Sequence, residues 1–279
     1  MHKSKGISGI LLKLEIKEFA EPVYLDAPDY SYSVHLEQIL EELRTNKPSS
    51  QLLNMIQASQ SLFEAGLGST LKSHKLVTDY KSFEFTDVNK NTTIKIKANQ
   101  DLKSLSEFLQ KSMQQQPELN MRIDFNLALT AKSFESWWMA LGSEIKKSIE
   151  FIEDPFAWSP TEWSSSLGMG APLANDFAID DRMLLELVEP QHYFRHLIIK
   201  PYSHLNLDVL AKALDKGMSL VFTHGMETFL GRSIAAKMAE RYANKDVIHG
   251  LEANKLFVND FASLEQIKAL PWKTANEHL

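Results

Sequence analysis

The pattern of hydrophobic and polar positions changes near residue 74. Beyond it, short β-rich runs alternate with helical segments of about 10 to 16 residues, as in repeated βα units around a parallel sheet. Because the stretch from Lys81 to Asn91 is short and polar, we expect a loop in place of the first helix. The runs predict an α/β fold, a modified TIM (β/α) barrel, with eight strands near 75–80, 92–97, 121–126, 149–153, 172–176, 196–200, 219–223 and 247–251.

The first 73 residues follow a different pattern. The stretch from Gly9 to Ile16 is typical of a strand, and the region around Pro22 and Pro28 is typical of a loop. Apolar residues at helical spacing then predict two amphipathic helices, carrying Leu36, Ile39, Leu40 and Leu43 and then Leu52, Ile56 and Phe63. We therefore expect a small, shortened N-terminal α+β capping region over 1–73, a barrel over 74–255, and a C-terminal segment, 256–279, packed on either.

Composition narrows the class of partner. The chain is 44% hydrophobic and 24% charged, as in globular proteins, and its net charge of −6 argues against a nucleic-acid surface. A small-molecule partner is therefore expected, for a monomer or a homo-oligomer. The apolar patch from Ile7 to Leu12 is broken by Lys13, and no stretch is long enough to span a bilayer. We expect a cytoplasmic protein without a membrane partner.

The chain contains no cysteine. Disulfides, thiolate metal sites and cysteine nucleophiles are therefore excluded together. Any metal site must use oxygen or imidazole ligands.

Acidic residues end three consecutive predicted strands: Asp124, Glu153 and Asp176. The separations, 153 − 124 = 29 and 176 − 153 = 23 residues, each match one βα unit. Adjacent parallel strands would bring the three carboxylates to the C-terminal rim, where the active sites of barrels lie. Because the three negative charges repel one another, a divalent cation is expected between them, and an all-oxygen set fits Mg²⁺ better than zinc.

Lysines flank this acidic set on neighbouring strands. Lys95 and Lys97 lie two residues apart on the preceding strand, so strand alternation puts them on one face. Lys200 ends the strand that follows Asp176. We expect burial and like-charge repulsion to lower the pKa of these lysines, which would make a neutral amine available as a base.

Taken together, these motifs resemble the enolase superfamily in its muconate-lactonizing branch, which includes o-succinylbenzoate synthase. The family pattern places a Lys-x-Lys pair on the second barrel strand, Asp-x-Asn on the third, Glu-x-Pro on the fourth, Asp on the fifth and Lys on the sixth. This chain carries the same residues in the same order: Lys95-Ile-Lys97, Asp124-Phe-Asn126, Glu153-Asp-Pro155, Asp176 and Lys200.

The resemblance implies a role for each motif residue. It implies that Mg²⁺, with Mn²⁺ as an alternative, is bound by Asp124, Glu153 and Asp176. Lys97 would be the base, and Lys95 would tune it. Lys200 would stabilise the enediolate intermediate from the opposite face. The implied reaction is the dehydration of 2-succinyl-6-hydroxy-2,4-cyclohexadiene-1-carboxylate to o-succinylbenzoate in menaquinone biosynthesis, a carbon–oxygen hydro-lyase step.

Further residues are candidates for binding the substrate. Strand alternation points Arg122 and Asn126 to the same side as Asp124, and an arginine there suits a second carboxylate or, equally, a buried ion pair. The resemblance implies that His224, Gly225 and Gly250 line the succinyl end of the substrate. A strand-to-helix turn explains these glycines as well.

Two other functions stay open. Opposed lysines, Lys97 and Lys200, also suit a racemase of acylamino acids or a dipeptide epimerase, which need two bases. Phe177 stands where the family usually has an acid, and this departure favours a third hypothesis, a catalytically inactive barrel that serves as a binding protein. Arg122 and the shortened cap favour the synthase over the epimerase.

Overall fold

The computed structural model describes residues 8–14, 23–29, 41–45, 47–49, 71–85, 92–176, 195–201, 207–223, 229–243 and 246–251, with residues 52, 53, 56, 57, 59, 266 and 269. The strands with assigned bounds in this part of the chain are β1 (Ser8–Leu14), β2 (Val23–Asp29), β3 (Lys75–Val77), β4 (Thr93–Lys97), β5 (Asn120–Asp124), β6 (Ile149–Glu153), β7 (Leu173–Asn175), β8 (His196–Ile199) and β9 (Ser219–Phe222). The helices are α1 (Leu102–Gln115), α2 (Ala131–Ala140), α3 (Ser143–Ser148), α4 (Pro160–Gly168), α5 (Leu207–Asp215) and α6 (Phe229–Tyr242).

Strands β3 to β9 form one parallel sheet in which every strand lies beside the next one in the chain. The two edges of this curled sheet meet through a short bridge. His249 pairs with Ser73 beside β3, and Gly250 pairs with Thr223 beside β9. The predicted α/β barrel architecture is confirmed, and the eighth predicted strand is reduced to these two bridging residues.

The barrel strands have two different faces because side chains alternate along each strand. Their outward residues, such as Ile96, Ile123 and Ile152, belong to the large core between sheet and helices. On the inner face, a small apolar layer is formed by Phe151, Ala174, Ile198 and Val221. Two residues further along the same strands the inner positions are polar: Glu153, Asp176, Lys200 and Thr223. Below the polar rim, the inner face is therefore apolar on β6 to β9, whereas Arg122 of β5 is a buried cation at the level of Phe151.

Side-chain caps fix where several helices begin. Asp101 accepts a backbone N–H at the start of α1, Thr130 forms a capping box with Ser133 before α2, and Ser159 caps α4. The loops between strand ends and helices are therefore held by hydrogen bonds. Within the described residues, no helix combines the length and hydropathy needed to cross a membrane.

The region between β3 and β4 agrees in part with the predicted loop. Residues 81–85 contain turns and a single 3₁₀ position but no α-helix. Residues 86–91 lie outside the described residues.

Near the N-terminus, β1 and β2 form a separate antiparallel pair. The predicted strand is confirmed over residues 9–14, and residues 15 and 16 lie outside the described residues. The predicted loop around Pro28 is wrong, because Pro28 lies within β2 opposite Gly9. Both strands of a two-stranded sheet are edges, where a proline can be accommodated without losing a ladder hydrogen bond. Pro22 lies outside the described residues.

The two predicted N-terminal helices are partly visible. Residues 41–44 are helical and include Leu43, and the buried Leu52 and Ile56 also have helical conformation. Leu36, Ile39, Leu40 and Phe63 lie outside the described residues. Strand β2 contacts α6, so the hairpin lies against a helix of the barrel. The division into 1–73, 74–255 and 256–279 stays a prediction.

Candidate active site

Three acidic side chains lie at neighbouring strand ends. Asp124 ends β5, Glu153 ends β6, and Asp176 directly follows β7. The register pairs Asp124 with Glu153, and Glu153 with Ala174. All three side chains are buried, with exposures of 1%, 1% and 6%. Carboxylates this deeply buried require opposite charges close by.

Lysine ammonium groups supply part of that charge. Lys95 Nζ lies 2.7 Å from both Glu153 oxygens and 2.8 Å from Asp124 Oδ2. Lys97 Nζ donates to the same Asp124 oxygen, and Lys200 Nζ donates to Asp176 Oδ2. The order along the rim is therefore lysine, acid, acid, acid, lysine, from β4 to the end of β8.

The three lysines differ in their access to the barrel mouth. The side chain of Lys95 is 8% exposed, whereas those of Lys97 and Lys200 are 35% and 21% exposed. Strands β5, β6 and β7 separate the strands that carry Lys97 and Lys200. Lys97 and Lys200 can therefore reach a bound molecule from opposite flanks, while Lys95 is enclosed by the carboxylates.

The electrostatics of the site are dominated by its carboxylates. Burial raises the pKa of Glu153 well above its ordinary value, and the nearby Asp124 charge adds to the increase. Burial alone would lower the pKa of Lys95, but Asp124 and Glu153 outweigh it and the pKa is raised. The same balance raises the pKa of Lys200 beside Asp176. The expected lowering is thus wrong for Lys95 and Lys200 where carboxylates face the ammonium groups directly.

Asp154 is a fourth buried acid, which the sequence patterns did not predict. Its side chain is 1% exposed, and both carboxylate oxygens accept the backbone N–H of Asp176 at 3.2 Å. Burial, followed by the Asp176 charge, raises the pKa of Asp154 to about 8. Strand alternation after Glu153 predicts the opposite face for Asp154, but the strand has ended and Asp154 has a φ of 42°. The sequence signal that could have indicated Asp154 is its position as the second acid of the Glu-Asp-Pro motif.

These residues fit a hard divalent cation. Glu153, Asp154 and Asp176 each offer an oxygen atom, and the three atoms lie within 4.8 Å of one another. The predicted ligand Asp124 is not in this group; its Oδ2 atom lies beside the ammonium groups of Lys95 and Lys97. Asp176 Oδ1 is buried and has no hydrogen-bond partner among the described residues. An all-oxygen set of this kind, completed by water and substrate, suits Mg²⁺.

Arg122 is fully buried and already bonded. Its Nε and Nη2 atoms donate to the two oxygens of Glu150 at 2.8 and 2.7 Å, and Nη1 lies 3.0 Å from His74 Nδ1. The guanidinium carbon also lies 4.6 Å from the centre of the Phe151 ring. This geometry favours a buried ion pair over the binding of a substrate carboxylate.

The remaining candidates lie at the rim or outside the described residues. Asn126 is exposed, and its backbone N–H donates to Asp124 Oδ1 at 3.1 Å. A Cβ atom on Gly250 would lie 2.6 Å from Thr223 Oγ1, so barrel closure explains this glycine. His224 and Gly225 lie outside the described residues, as does Phe177, and their roles stay predictions.

Comparison with known proteins adds relatives of low identity but high coverage. No protein-family model matches the sequence. An o-succinylbenzoate synthase of Bdellovibrio bacteriovorus is 22% identical over 292 aligned residues, which cover 96% of this chain and 86% of that protein. At this identity the similarity leaves the specific reaction open.

Several solved structures have a similar fold over most of this chain. An o-succinylbenzoate synthase from Thermosynechococcus elongatus, with magnesium in its active site, gives a TM-score of 0.66 at 17% identity over 88% of this chain and 84% of that one. A dipeptide epimerase from Enterococcus faecalis, complexed with magnesium and L-Leu-L-Tyr, gives 0.64 at 16% identity over 86% and 80%. The chain therefore has the fold of the enolase superfamily, to which these structural neighbours belong.

Proposed function

We propose that this protein is a magnesium-dependent enzyme that removes the α-proton of a carboxylate substrate, and that its reaction is the o-succinylbenzoate synthase dehydration. The observation that carries the proposal is the placement of Lys97 and Lys200 on opposite flanks of a buried carboxylate set. The similarity to two o-succinylbenzoate synthases supports the choice of substrate.

Asp124, Glu153 and Asp176 would hold Mg²⁺, with Mn²⁺ as an alternative. When bound, the cation supplies positive charge that holds the substrate carboxylate and offsets the negative charge that develops on it. The same carboxylates lie beside Lys95, Lys97 and Lys200, so a bound cation would share these acids with the lysine ammonium groups.

Lys97 is the proposed base. Its side chain reaches the open side of the rim, and its ammonium group shares the oxygen of Asp124 with Lys95. In the dehydration, Lys97 takes the α-proton, a carbon–carbon double bond forms as the carbon–oxygen bond breaks, and the same proton leaves with the hydroxyl as water.

Lys200 is the proposed electrostatic partner on the opposite flank. It lies at the end of β8, is bonded to Asp176, and keeps part of its side chain exposed toward the mouth. A protonated Lys200 would stabilise the negative charge that appears once the α-proton has left.

A spectrophotometric assay with 2-succinyl-6-hydroxy-2,4-cyclohexadiene-1-carboxylate tests the reaction. We expect turnover with Mg²⁺, loss of turnover in EDTA, and a fall in kcat of at least about 100-fold in Lys97→Ala, the lower bound of a general-base contribution. Lys103→Ala, which removes an exposed lysine of α1, is the matched control and should retain wild-type activity.

Absence of turnover by a wild-type protein that binds Mg²⁺ would reject this substrate. If, in addition, the acylamino acids and dipeptides also fail to react, the inactive binding protein becomes the better account. Failure to bind Mg²⁺ would reject the enzyme proposal as a whole.

A racemase of acylamino acids or a dipeptide epimerase is the second candidate, favoured by the opposed lysines and by the similarity to a dipeptide epimerase. Exchange of the α-proton in D₂O, followed by NMR, separates the two. An epimerase uses one lysine to remove the α-proton of each stereoisomer. Lys97→Ala should therefore block proton exchange in one isomer, and Lys200→Ala should block it in the other. For the synthase, neither dipeptide isomer exchanges.

We also propose that the protein acts in menaquinone biosynthesis in the cytoplasm, and that residues 1–73 cap the barrel mouth. A deletion of the gene should then be rescued by added menaquinone. If added menaquinone does not restore growth of the deletion strain, the proposed role in menaquinone biosynthesis is contradicted.

A further inference from the structure

Asp154 joins the loops that follow three neighbouring strands. Its backbone N–H donates to the carbonyl oxygen of Ala174 at 3.2 Å, and its carbonyl oxygen accepts the N–H of Leu127 at 2.8 Å. Its carboxylate accepts the N–H of Asp176. Asp154, the residue directly after β6, thus binds both the loop after β5 and the C-terminal end of β7 with the residue that follows it. These are the strands that carry the proposed metal ligands.

The backbone around Asp154 is held in an unusual conformation. Among the described residues, the non-glycine positions with positive φ are Asn126, Leu127 and Asp154, at 48°, 61° and 42°. All three lie in the two loops that follow β5 and β6. Such conformations persist only where the surrounding contacts fix them, and they concentrate at functional sites.

The backbone N–H of Asp176 depends on Asp154. The pairing of β7 with β8 ends at Asn175, so the next N–H has no strand partner in the ladder. Asp176 is buried, and an unpaired N–H at such a place is costly. The Asp154 carboxylate satisfies this donor and fixes the backbone from which the Asp176 side chain projects.

We infer that Asp154 is a positioning residue of the metal site, because it holds the main chain of Asp176 and so sets the place of the third metal ligand. This inference rests on the proposed function for the identity of the cation. The lysine contacts go to the other three acids. Asp154 also belongs to the group of three acids whose oxygens could hold a cation, but both of its oxygens already accept the Asp176 N–H. A neutral acceptor can also make this hydrogen bond.

Mg²⁺ titration by calorimetry, with three variants, tests this role. Asp154→Asn keeps an acceptor oxygen and tolerates positive φ, so its Kd for Mg²⁺ should stay within about threefold of wild type. Asp154→Gly removes the acceptor without adding backbone strain, and its Kd should rise about 10- to 100-fold, as expected when a residue that orients a metal ligand is lost. Asp79→Asn, an exposed acid after β3, is the charge-matched control and should bind like wild type.

Equal Mg²⁺ affinity in wild type and in a folded Asp154→Gly variant would overturn the inference and leave the proposed function intact. An equal loss in Asp154→Asn and Asp154→Gly would also overturn it, because the charge would then be the essential property. A wild type that binds no Mg²⁺ would reject the proposed function itself, and with it the role assigned to Asp154.

Amide hydrogen exchange provides a second test that does not depend on the glycine variant. The Asp176 N–H should be protected in wild type and remain protected in Asp154→Asn. Fast exchange of this amide in the wild type would show that the hydrogen bond is not made, and would overturn the inference.

Discussion

Arg122 and Glu150 form an ion pair below the rim of the site. The guanidinium has no exposed surface, whereas 29% of the Glu150 side chain is exposed. Removing Glu150 would therefore leave a buried cation without its carboxylate. The remaining contacts, with His74 and the Phe151 ring, do not supply a negative charge.

We predict that Glu150→Ala lowers the free energy of unfolding by about 3 kcal/mol, the lower end of the cost of removing one partner from a buried pair. Urea denaturation measures this change. Glu144→Ala is the control, since its pair with Lys147 is exposed on both sides and should contribute too little to resolve. Equal effects of the two substitutions would contradict the assignment of Arg122 as a structural cation.

Two histidines near Arg122 predict how stability depends on pH. Burial, with Arg122 nearby, lowers the pKa of His249 to about 4. Burial also lowers the pKa of His196 to about 4, although Glu150 opposes the shift. Between about 6.5 and 4 the unfolded chain binds more protons at these two histidines than the folded chain, so their contribution to stability falls as the pH drops through this window. Asp154 and Glu153, whose pKa values are raised, contribute in the opposite direction.

Denaturation at several pH values, in wild type and His249→Asn, checks this effect. Asparagine can accept the Phe222 N–H that His249 Nδ1 accepts, but it does not titrate. We expect a shallower loss of stability between pH 6.5 and 4 in the variant. An identical dependence of the free energy of unfolding on pH in both proteins would show that His249 does not contribute to the loss of stability in acid.

Single residues also show where sequence patterns stop being informative. Asp124, Glu153 and Asp176 could be placed because each ends a strand, and the βα spacing fixes the shared rim. Asp154 was not predicted, and the placement predicted for Asn126 assumed that the strand continues, whereas β5 ends at Asp124 and φ is positive at both Asn126 and Asp154. A local sequence pattern also does not show which distant residue, such as Asp176, a side chain will bind in the folded protein.

At the scale of elements, the register between β5 and β6 explains how Glu150 was missed as the partner of Arg122. A shift in register between Met121 and Arg122 pairs Arg122 with Phe151, whereas Met121 pairs with Ile149. Glu150 is thus left out of the regular pairing, and it reaches the guanidinium beside it. Periodicity predicts the strands themselves but contains no information about an irregularity of this kind.

The closure of the barrel is another element that periodicity predicted only in part. The run near 247–251 has the composition of a strand, but only His249 and Gly250 bridge the two sheet edges. Gly250 lies so close to Thr223 and His74 that a Cβ would contact their side chains at 2.6 and 2.9 Å. Closure thus depends on a close approach of backbone that a sequence pattern does not reveal.

We predict that Gly250→Ala destabilises the protein by about 1 to 3 kcal/mol, the usual cost of forcing an extra methyl group into a packed site. Thermal or urea denaturation measures the change. Gly168→Ala is the control, because Gly168 lies in α4 with nothing within 4 Å of its Cβ position, and it should be neutral or stabilising. A neutral Gly250→Ala would contradict this account of closure.

At the scale of the whole molecule, the barrel concentrates charge at one end. Four buried acids, Asp124, Glu153, Asp154 and Asp176, lie close to the ammonium groups of Lys95, Lys97 and Lys200. The pKa values of Glu153 and Asp154 are raised, so these two acids hold their protons more readily than an exposed carboxyl group does. A divalent cation would favour the charged form of the acids, and its positive charge, together with that of the lysines, would suit an anionic substrate.

The central claim is that the acids at the ends of β5, β6 and β7 hold a divalent cation between Lys97 and Lys200. Anomalous diffraction from crystals grown with Mn²⁺ locates such a cation directly. We predict one strong peak at about 2.0 to 2.3 Å from carboxylate oxygens of Asp124, Glu153 and Asp176, at the distances of hard cations with oxygen ligands. A cation that lies elsewhere, or no peak at saturating Mn²⁺, would contradict the account.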